Sequence, residues 1–384
     1  MNIDRHILHL DLDTFFVSVE RLHNSRLHGM PVVIGSTSDR GVVAGCSYET
    51  RKHGVHSGMP MRMARMLCND MIVIRGDMDQ YSKFSNMVTE IIGEKAPVYE
   101  KTSIDEHYVD LTGMDKFFGC YQWSHELRQR IIKYTGLPIS FGLSLNKTVS
   151  KMATSEAKPN GELEVSKQAI KTFMSPLSIR KIPGIGKKTF QLLRTMGIST
   201  IEALSNMPPA VIEKVLGKNG TDIWKKANGI DLTPVKPYSE RKSISTERTF
   251  DRDTIDIEFL NDLLICMVEK LAFQLRQKKR LTSCVTVKIR YSNFDTHTQQ
   301  KRITYTSLDH ILIDTAKELF RKVYKRRMLI RLIGVKLSYL IQGHQQLDLF
   351  DDKPELINLY QTLDKLKNKY GHKIVRRAIG IRRL

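Results

Sequence analysis

The stretch "HILHLDLDTFFVSVERL" crowds apolar residues from Ile7 to Leu12, then spaces Phe16, Val19 and Leu22 three apart. That change of period predicts a buried strand over 7–12 that passes into an amphipathic helix beginning at Thr14, with Phe16, Val19 and Leu22 on one side. Helical spacing returns over 81–92 and 123–134. "YEKTSIDEHYVDLT" reads as a strand pair with a tight turn, and "LPISFGLSLNK" as a strand leading into the helix of "KTVSKMATSEAK". Strands and helices interleaved in this way predict an α+β layer with helices on one face of an antiparallel sheet. From about Val165 to Ile230, short helical patterns broken by Gly and Pro predict a compact helical unit. "DLTPVKPYSERKS" has no period and is rich in Pro and charge, which makes it a tether. Beyond it, "CVTVKIRYS" and "RITYT" alternate as strands and two helices accompany them. A tail follows Gly343, in which Leu356, Leu359, Leu363, Leu366 and Tyr370 recur at spacings of three and four, predicting an amphipathic helix that folds back onto the body.

Composition restricts what such a chain does. Its 384 residues suffice for roughly two to four domains with their own cores. Lys and Arg number 61 against 41 Asp and Glu, a net charge of +20, so the surface field favours a polyanion, with nucleic acid ahead of an anionic membrane. No run approaches the roughly eighteen apolar residues of a membrane span, and the N-terminal "MNIDRHILHLDLD" carries acids where a signal peptide is apolar, so a cytoplasmic chain is expected. The five cysteines (Cys46, Cys68, Cys120, Cys266, Cys284) lie far apart without C-x-x-C spacing, the pattern of buried free thiols rather than of a zinc site or disulfide framework.

Chemistry enters with two acidic clusters, Asp11 with Asp13 and Asp105 with Glu106. Neighbours on a strand point to opposite faces, but if Asp105 ends a strand and Glu106 begins the turn, both can face one point. Carboxylates that converge repel one another unless a cation sits among them, and oxygen-only ligands favour Mg²⁺ or Mn²⁺ over zinc. A pair of such cations is a standard device for displacement at phosphorus. In a basic chain the reading is a nucleotidyl transferase or a nuclease. For "SIDE" alone, a solvated turn is an equal alternative.

Five segments read together go further. "HLDLDTFFVSVE", "VVAGCSYETRKHGVHSGMP", "TSIDEHYVDLTG", "FGLSLNKTVSKMATSEAKPNG" and "IPGIGKKT" resemble, in order and spacing, the Y-family translesion DNA polymerases, and most of all their DinB or DNA polymerase IV branch. The resemblance implies a right-hand architecture: a ferredoxin-like palm over 1–17 and 77–165, small fingers over 18–76, a helical thumb over 166–232, a linker over 233–242, an α/β little finger over 243–341, and a tail over 342–384. It implies that Asp11 and Asp105 bridge two Mg²⁺ ions, that Glu106 holds the ion at the primer 3′-hydroxyl, and that the main-chain carbonyl of Leu12 completes the nucleotide-side ion. Asp13 is then structural. Tyr48, Arg51 and Lys158 match the holders of the incoming triphosphate. Phe16 matches the steric gate against ribose, with Phe15 as a core neighbour, and Val42 and Ala44 match a low roof over the templating base.

In "KIPGIGKKT" the resemblance implies a helix-hairpin-helix whose Gly184, Gly186 and Lys187 meet a DNA phosphate. Residues 270–341 hold 17 Lys and Arg against 4 Asp and Glu, an excess suited to a duplex backbone. Gln346, Leu347, Leu349 and Phe350 in "QLDLF" match the bacterial sliding-clamp motif, with 34 residues following where many relatives end. Lys101, Thr102, His107 and the "LSLNK" sequence depart from the common pattern without removing a metal ligand; a lone His such as His107 is expected to pack or lie on the surface. The expected protein is a monomeric DNA-directed DNA polymerase of low fidelity, with primer-template DNA, dNTPs and a sliding clamp as partners. A metal-dependent nuclease, a catalytically idle DNA- or clamp-binding protein and a DxD glycosyltransferase are the competing readings.

Overall fold

The computed structural model describes residues 5–114, 119–237, 240–343, 354–371, 374–375 and 377. The chain divides into two compact units, Met1–Ser239 and Glu240–Leu384. The first begins with β1 (Ile7–Leu12) and α1 (Phe15–His23), continues through β2 (Val32–Gly35), β3 (Val43–Cys46), α2 (Tyr48–Lys52), α3 (Met61–Leu67) and β4 (Ile72–Ile74), and returns through α4 (Met78–Lys95), β5 (Val98–Lys101), β6 (Glu106–Asp110), α5 (Cys120–Thr135), β7 (Ile139–Ser144), α6 (Lys147–Ala157) and β8 (Glu162–Glu164). The central sheet runs β5-β6-β1-β7-β8, and a smaller sheet, β3-β2-β4, is formed by the segment between α1 and α4. Five short helices follow: α7 (Ile170–Met174), α8 (Lys187–Thr195), α9 (Ile201–Ser205), α10 (Pro209–Leu216) and α11 (Lys218–Ala227).

The alternation of β1 organises this unit. Leu8, Leu10 and Leu12 point into an apolar core shared with Val88 and Ile92 of α4 and Leu127 and Ile131 of α5. Ile7, His9 and Asp11 point the other way, where Ser150 of α6 donates to the Ile7 carbonyl and Thr154 to that of His9. The sheet is therefore covered on both faces, not on one as its sequence pattern suggests. Its last pair, β7 with β8, is parallel. In α1 the buried residues are Phe15, Val17, Ser18 and Val19; Phe16 is half-buried and Leu22 is 44% exposed, so the inward face is not the one built on Phe16 and Leu22.

The supposed tether also differs. Its first half lies on the central sheet: Val235 is buried with Ile7 and Tyr108, Lys147 donates to the Pro234 carbonyl, the Lys236 amide donates to Glu100 at 2.6 Å, and Arg5 reaches the carbonyls of Asp231 and Thr233. A polar, aperiodic sequence still docks when each polar group finds a partner and one apolar residue finds a hole.

The second unit comprises β9 (Ser243–Thr254), α12 (Ile257–Gln277), β10 (Arg280–Tyr291), β11 (Thr296–Thr306), α13 (Asp309–Val323), β12 (Ile330–Gln342) and α14 (Pro354–Tyr370). Its sheet runs β11-β10-β12-β9, and α12 and α13 share one core with Val285, Val287 and Ile289 of β10 and Ile333, Val335 and Leu337 of β12. Helix α14 does fold back within this unit, but through Tyr360 and Asp364. Asp364 takes Arg276 at 2.6 Å, and Tyr360 stacks on His310. Leu359, Leu366 and Tyr370 stay exposed, because the half-buried Arg276, shared with Asp309, selects the acidic and aromatic face over the leucine stripe.

Candidate active site

On the paired strands β1 and β6, Asp11 lies directly opposite Glu106, which places the two carboxylates on one face as a cross-strand pair. Asp105 reaches the same place from the turn, and its carbonyl accepts from the Leu12 amide at 3.1 Å. The order is thus the reverse of the expected one: Glu106 begins its strand and Asp105 belongs to the turn before it. Ser103 shapes that turn, accepting from the Glu106 amide at 3.0 Å and donating to Asp105 Oδ1. Freed from strand alternation, Asp105 joins Glu106 without either entering the core.

Helix α6 and the residue after it bring lysines to Glu106, Asp11 and the nearby Glu100. Lys147 donates to Glu100 at 2.6 Å, Lys151 to both oxygens of Glu106 at 2.7 and 2.6 Å, and Lys158, just past the helix end, to Asp11 Oδ1 at 2.5 Å. Burial, reinforced by the nearby charges of Glu106 and Asp105 and opposed by Lys158, pushes the Asp11 carboxyl up to about 6. Glu106 is held down to about 2 by His9 and by Lys151. At 3.9 Å the His9 imidazole is beyond hydrogen-bond length, so the short Lys151 contact carries the ion pair. Burial lowers His9 itself to about 4 and keeps it neutral; its Nδ1 lies 2.8 Å from the Thr154 hydroxyl. His107, one residue on from Glu106, faces away, fully buried, with Nε2 at 3.0 Å from the Thr89 hydroxyl and its pKa lowered to about 3 by burial and then by Lys101. It packs, as expected of a lone His.

Among the described residues, no three His, Cys, Asp or Glu side chains are gathered closely enough to hold a metal. The donor set is nonetheless one of hard oxygens, and a protein ammonium already sits on Asp11 and another on Glu106. Acids that each take a cation in this way have the charge and chemistry that suit a small divalent ion.

Above them opens a cavity of about 510 Å³ lined by Asp11, Leu12, Phe15, Phe16, Ala44, Tyr48, Arg51, Asp105 and Lys158, with Lys181 at its edge. The Phe16 ring stacks on Tyr81 at 4.4 Å and 19°, and Tyr81 donates to Glu20 at 2.6 Å. Phe15 is only 4% exposed. Gly45 adjoins the Phe16 ring; a Cβ there would meet Cδ2 at 3.2 Å. Tyr48 begins α2 and donates to Asp13 at 3.1 Å, while the Arg51 guanidinium lies 5.2 Å from its ring centre. Val42 is 54% exposed and does not line the cavity. Gly184, at φ +104, and Gly186, which caps α8, face open space, and Lys187 is exposed beside them. In the second unit, Lys288, Arg290 and Lys336 alternate with the core residues of β10 and β12, so they share the sheet face opposite α12 and α13. Gln346, Leu347, Leu349 and Phe350 lie outside the described residues.

Sequence reasoning missed Lys151, His9 and Tyr81. Lys147, Lys151 and Lys158 are spaced by four and seven, a helical stripe that signals the first of these. Tyr81 had no local signal, since only folding brings it under Phe16.

Three family profiles match the chain: the impB/mucB/samB family over residues 10–155, the IMS family HHH motif over 167–198, and the impB/mucB/samB family C-terminal domain over 241–349. The chain is 38% identical over 371 residues to a DNA polymerase IV of Dehalococcoides mccartyi, covering 96% of this chain and 95% of that one. It is 33% identical over 384 residues to the DNA polymerase IV of Treponema denticola, covering 98% and 97%. Among solved structures it is similar to a Y-family DNA polymerase chimera, Dbh-Dpo4(243-245)-Dbh, with a TM-score of 0.77 and 26% identity over 88% of this chain and all of the other. DinB from Sulfolobus solfataricus matches over the same share at a TM-score of 0.60. With both the catalytic and the C-terminal profile matched, and relatives aligned along nearly their whole length, the chain belongs to the impB/mucB/samB family of Y-family DNA polymerases.

Proposed function

We propose that this chain performs template-directed, low-fidelity translesion DNA synthesis, transferring nucleotides from dNTPs to a primer 3′-hydroxyl without proofreading, with two Mg²⁺ ions, or Mn²⁺, held by Asp11, Asp105, Glu106 and the Leu12 carbonyl. The observation that supports this reading most is the cavity lined by Asp11, Asp105, Arg51, Lys158 and Phe16, with Glu106 paired across the strands to Asp11. Divalent cations bound by these oxygens supply activation of the 3′-hydroxyl and neutralise charge on the departing pyrophosphate. Arg51 offers a planar fork and Lys158 a point charge to the triphosphate oxygens, where charge grows in the transition state. Lys158, now paired with Asp11, would be free for this work if Asp11 held a cation instead. Phe16 rejects the ribose hydroxyl, and Ala44 with Val42 leaves room over a damaged template base.

The domains are read as palm 1–17 and 77–165, fingers 18–76, thumb 166–232 with Gly184, Gly186 and Lys187 at a DNA phosphate, linker 233–242, little finger 243–341 and a clamp-binding tail. The chain acts as a cytoplasmic monomer that a sliding clamp engages through Gln346 to Phe350. No helix among the described residues is long and apolar enough to cross a membrane. The deciding experiment is primer extension with dNTPs and Mg²⁺ by the wild type, Asp105→Asn and Glu106→Gln. Extension is expected from the wild type alone, with primer-template affinity nearly equal for all three. Extension at near wild-type rate by either variant overturns the metal assignment, and degradation of the primer in place of extension returns the reading to a nuclease.

A further inference from the structure

Phe294 combines two features that a folded chain ordinarily avoids: a bulky aromatic residue in the left-handed region, at φ 70, and a large apolar side chain that is 62% exposed. It stands at the tip of the β10–β11 hairpin, where its amide donates to the Tyr291 carbonyl at 3.0 Å and the Tyr291 amide donates to the Asp295 carbonyl at 2.9 Å. The left-handed position of such a loop is usually filled by Gly, which has no Cβ to strain. Asn293, a residue type that tolerates this conformation, lies one position too early and instead pairs both ends of its amide with Asp295, at 2.8 and 3.0 Å. The turn therefore gains nothing from a phenyl ring, and the ring gains no core. A local rule broken without local compensation points to function.

The ring is nonetheless held in place. The Arg331 guanidinium of β12 lies 4.6 Å from its centre. Ser292 donates its amide to the Leu329 carbonyl at 2.9 Å, and Arg326 pairs with Asp295 at 2.9 Å, so the hairpin tip is pinned to the segment that joins α13 to β12. A guanidinium covers one face of a ring, and the exposure of Phe294 leaves the other to solvent. The surroundings are cationic: Asp295 is answered by Arg326, while Lys325 and Arg327 are exposed, and neither they nor Arg331 has an acid partner among the described residues.

An open aromatic face, backed by one cation and flanked by others, suits an unpaired nucleobase with its phosphates. Paired bases inside a duplex stack on one another and offer a side chain only their edges and their backbone, so the flat face of Phe294 has no use against them. We propose that Phe294 is a stacking platform for an unpaired base of the template strand beside the duplex, with Arg331 holding the ring from behind and leaving its N–H groups to the flanking phosphate. This rests on the reading of the second unit as a DNA-binding domain. It gives that domain a contact with single-stranded template in addition to the duplex backbone.

The experiment is equilibrium binding by the full chain to three DNA substrates that share one duplex: one with a single-stranded template overhang, one with an abasic overhang of the same length, and one with a blunt end. Thermal denaturation runs alongside. Phe294→Gly removes the ring, and because relief of the left-handed strain offsets the added freedom of the unfolded chain, its melting temperature should be nearly unchanged. Its affinity for the overhang is expected to fall about fivefold or more, with affinity for the abasic and blunt substrates unaltered. Phe294→Trp, which keeps an aromatic face, should bind the overhang as the wild type does. The dependence of affinity on salt should be the same for Phe294→Gly and the wild type, because stacking releases no counterions. Equal binding of the overhang by Phe294→Gly and the wild type would overturn the proposal. So would an equal loss on all three substrates, which would mean that the ring serves the duplex or the fold. If the wild type bound none of the three in a salt-dependent way, the DNA-binding reading of the second unit would fall too; salt-dependent binding that Phe294→Gly leaves intact removes the platform alone.

Discussion

Replacing Phe16 by alanine tests the aromatic wall of the cavity. The ring cannot retreat, because it is stacked on Tyr81, which is 1% exposed and bonded to Glu20, and it lies close against Gly45. A sugar placed above Asp11 and Leu12 meets this fixed ring, and a 2′-hydroxyl there suffers twice. Forcing an extra group into a packed space costs about 1–3 kcal/mol, and a hydroxyl stripped of water without a new partner costs about 1–3 kcal/mol more. The sum, roughly 2–6 kcal/mol, corresponds to discrimination of roughly 30-fold to 10⁴-fold, since about 1.4 kcal/mol is tenfold. Phe16→Ala removes the steric part and lets water reach the hydroxyl. Single-turnover incorporation of matched ribo- and deoxynucleotides should then give a ratio near unity to about tenfold, with deoxynucleotide incorporation little changed. Phe15→Ala serves as the contrast: at 4% exposure it belongs to the core, so it should cost about 3–5 kcal/mol of stability and leave the ratio alone. If Phe16→Ala keeps full ribonucleotide exclusion, the gate lies elsewhere and the ring is only part of the packing against Tyr81.

Replacing Leu349 and Phe350 by Ala should leave distributive synthesis unchanged and abolish stimulation by a loaded sliding clamp; equal stimulation of both proteins in a processivity assay would refute the clamp motif. Val235→Asp should destabilise the Met1–Ser239 unit by about 2 kcal/mol or more, from lost apolar burial and a new carboxylate in the hole between Ile7 and Tyr108. Thermal denaturation and faster proteolysis near residues 231–236 would report it, and an unaltered protease pattern would mean that this segment is the free tether its composition suggests.

What could be seen in the sequence follows the range of the forces involved. Strand β1, the helix over 120–135 and the β7–α6 passage are announced by local period, because each buries its own apolar stripe. The acids were found for the same reason, since like charges close together in sequence demand an explanation. Facing and register were less accessible. The period of α1 allowed either Phe15 or Phe16 to turn inward, and the choice fell to Tyr81, a residue 65 positions further on. Whether "DLTPVKPY" floats or docks depended on Glu100 and Lys147 being present at the sheet edge, which no window around Val235 contains.

The division of charge follows the same logic on a larger scale. Residues 270–341 alone carry an excess of 13 cations out of the chain's net +20, and although Arg276, Lys288, Lys301, Lys322 and Arg326 meet carboxylates, the cations outnumber the acids there by 17 to 4. The lysines of α6 and its C-terminal end are different: Lys147, Lys151 and Lys158 each meet a named carboxylate at 2.5–2.7 Å. Cations spent on internal partners add little to a long-range field, whereas unpaired ones on a surface raise affinity for a polyanion and make it sensitive to salt. On the function proposed above, affinity for DNA and chemistry on the nucleotide fall to different lysines and arginines, and a substitution among the acids of the cavity is expected to alter catalysis while leaving the affinity for primer-template little changed.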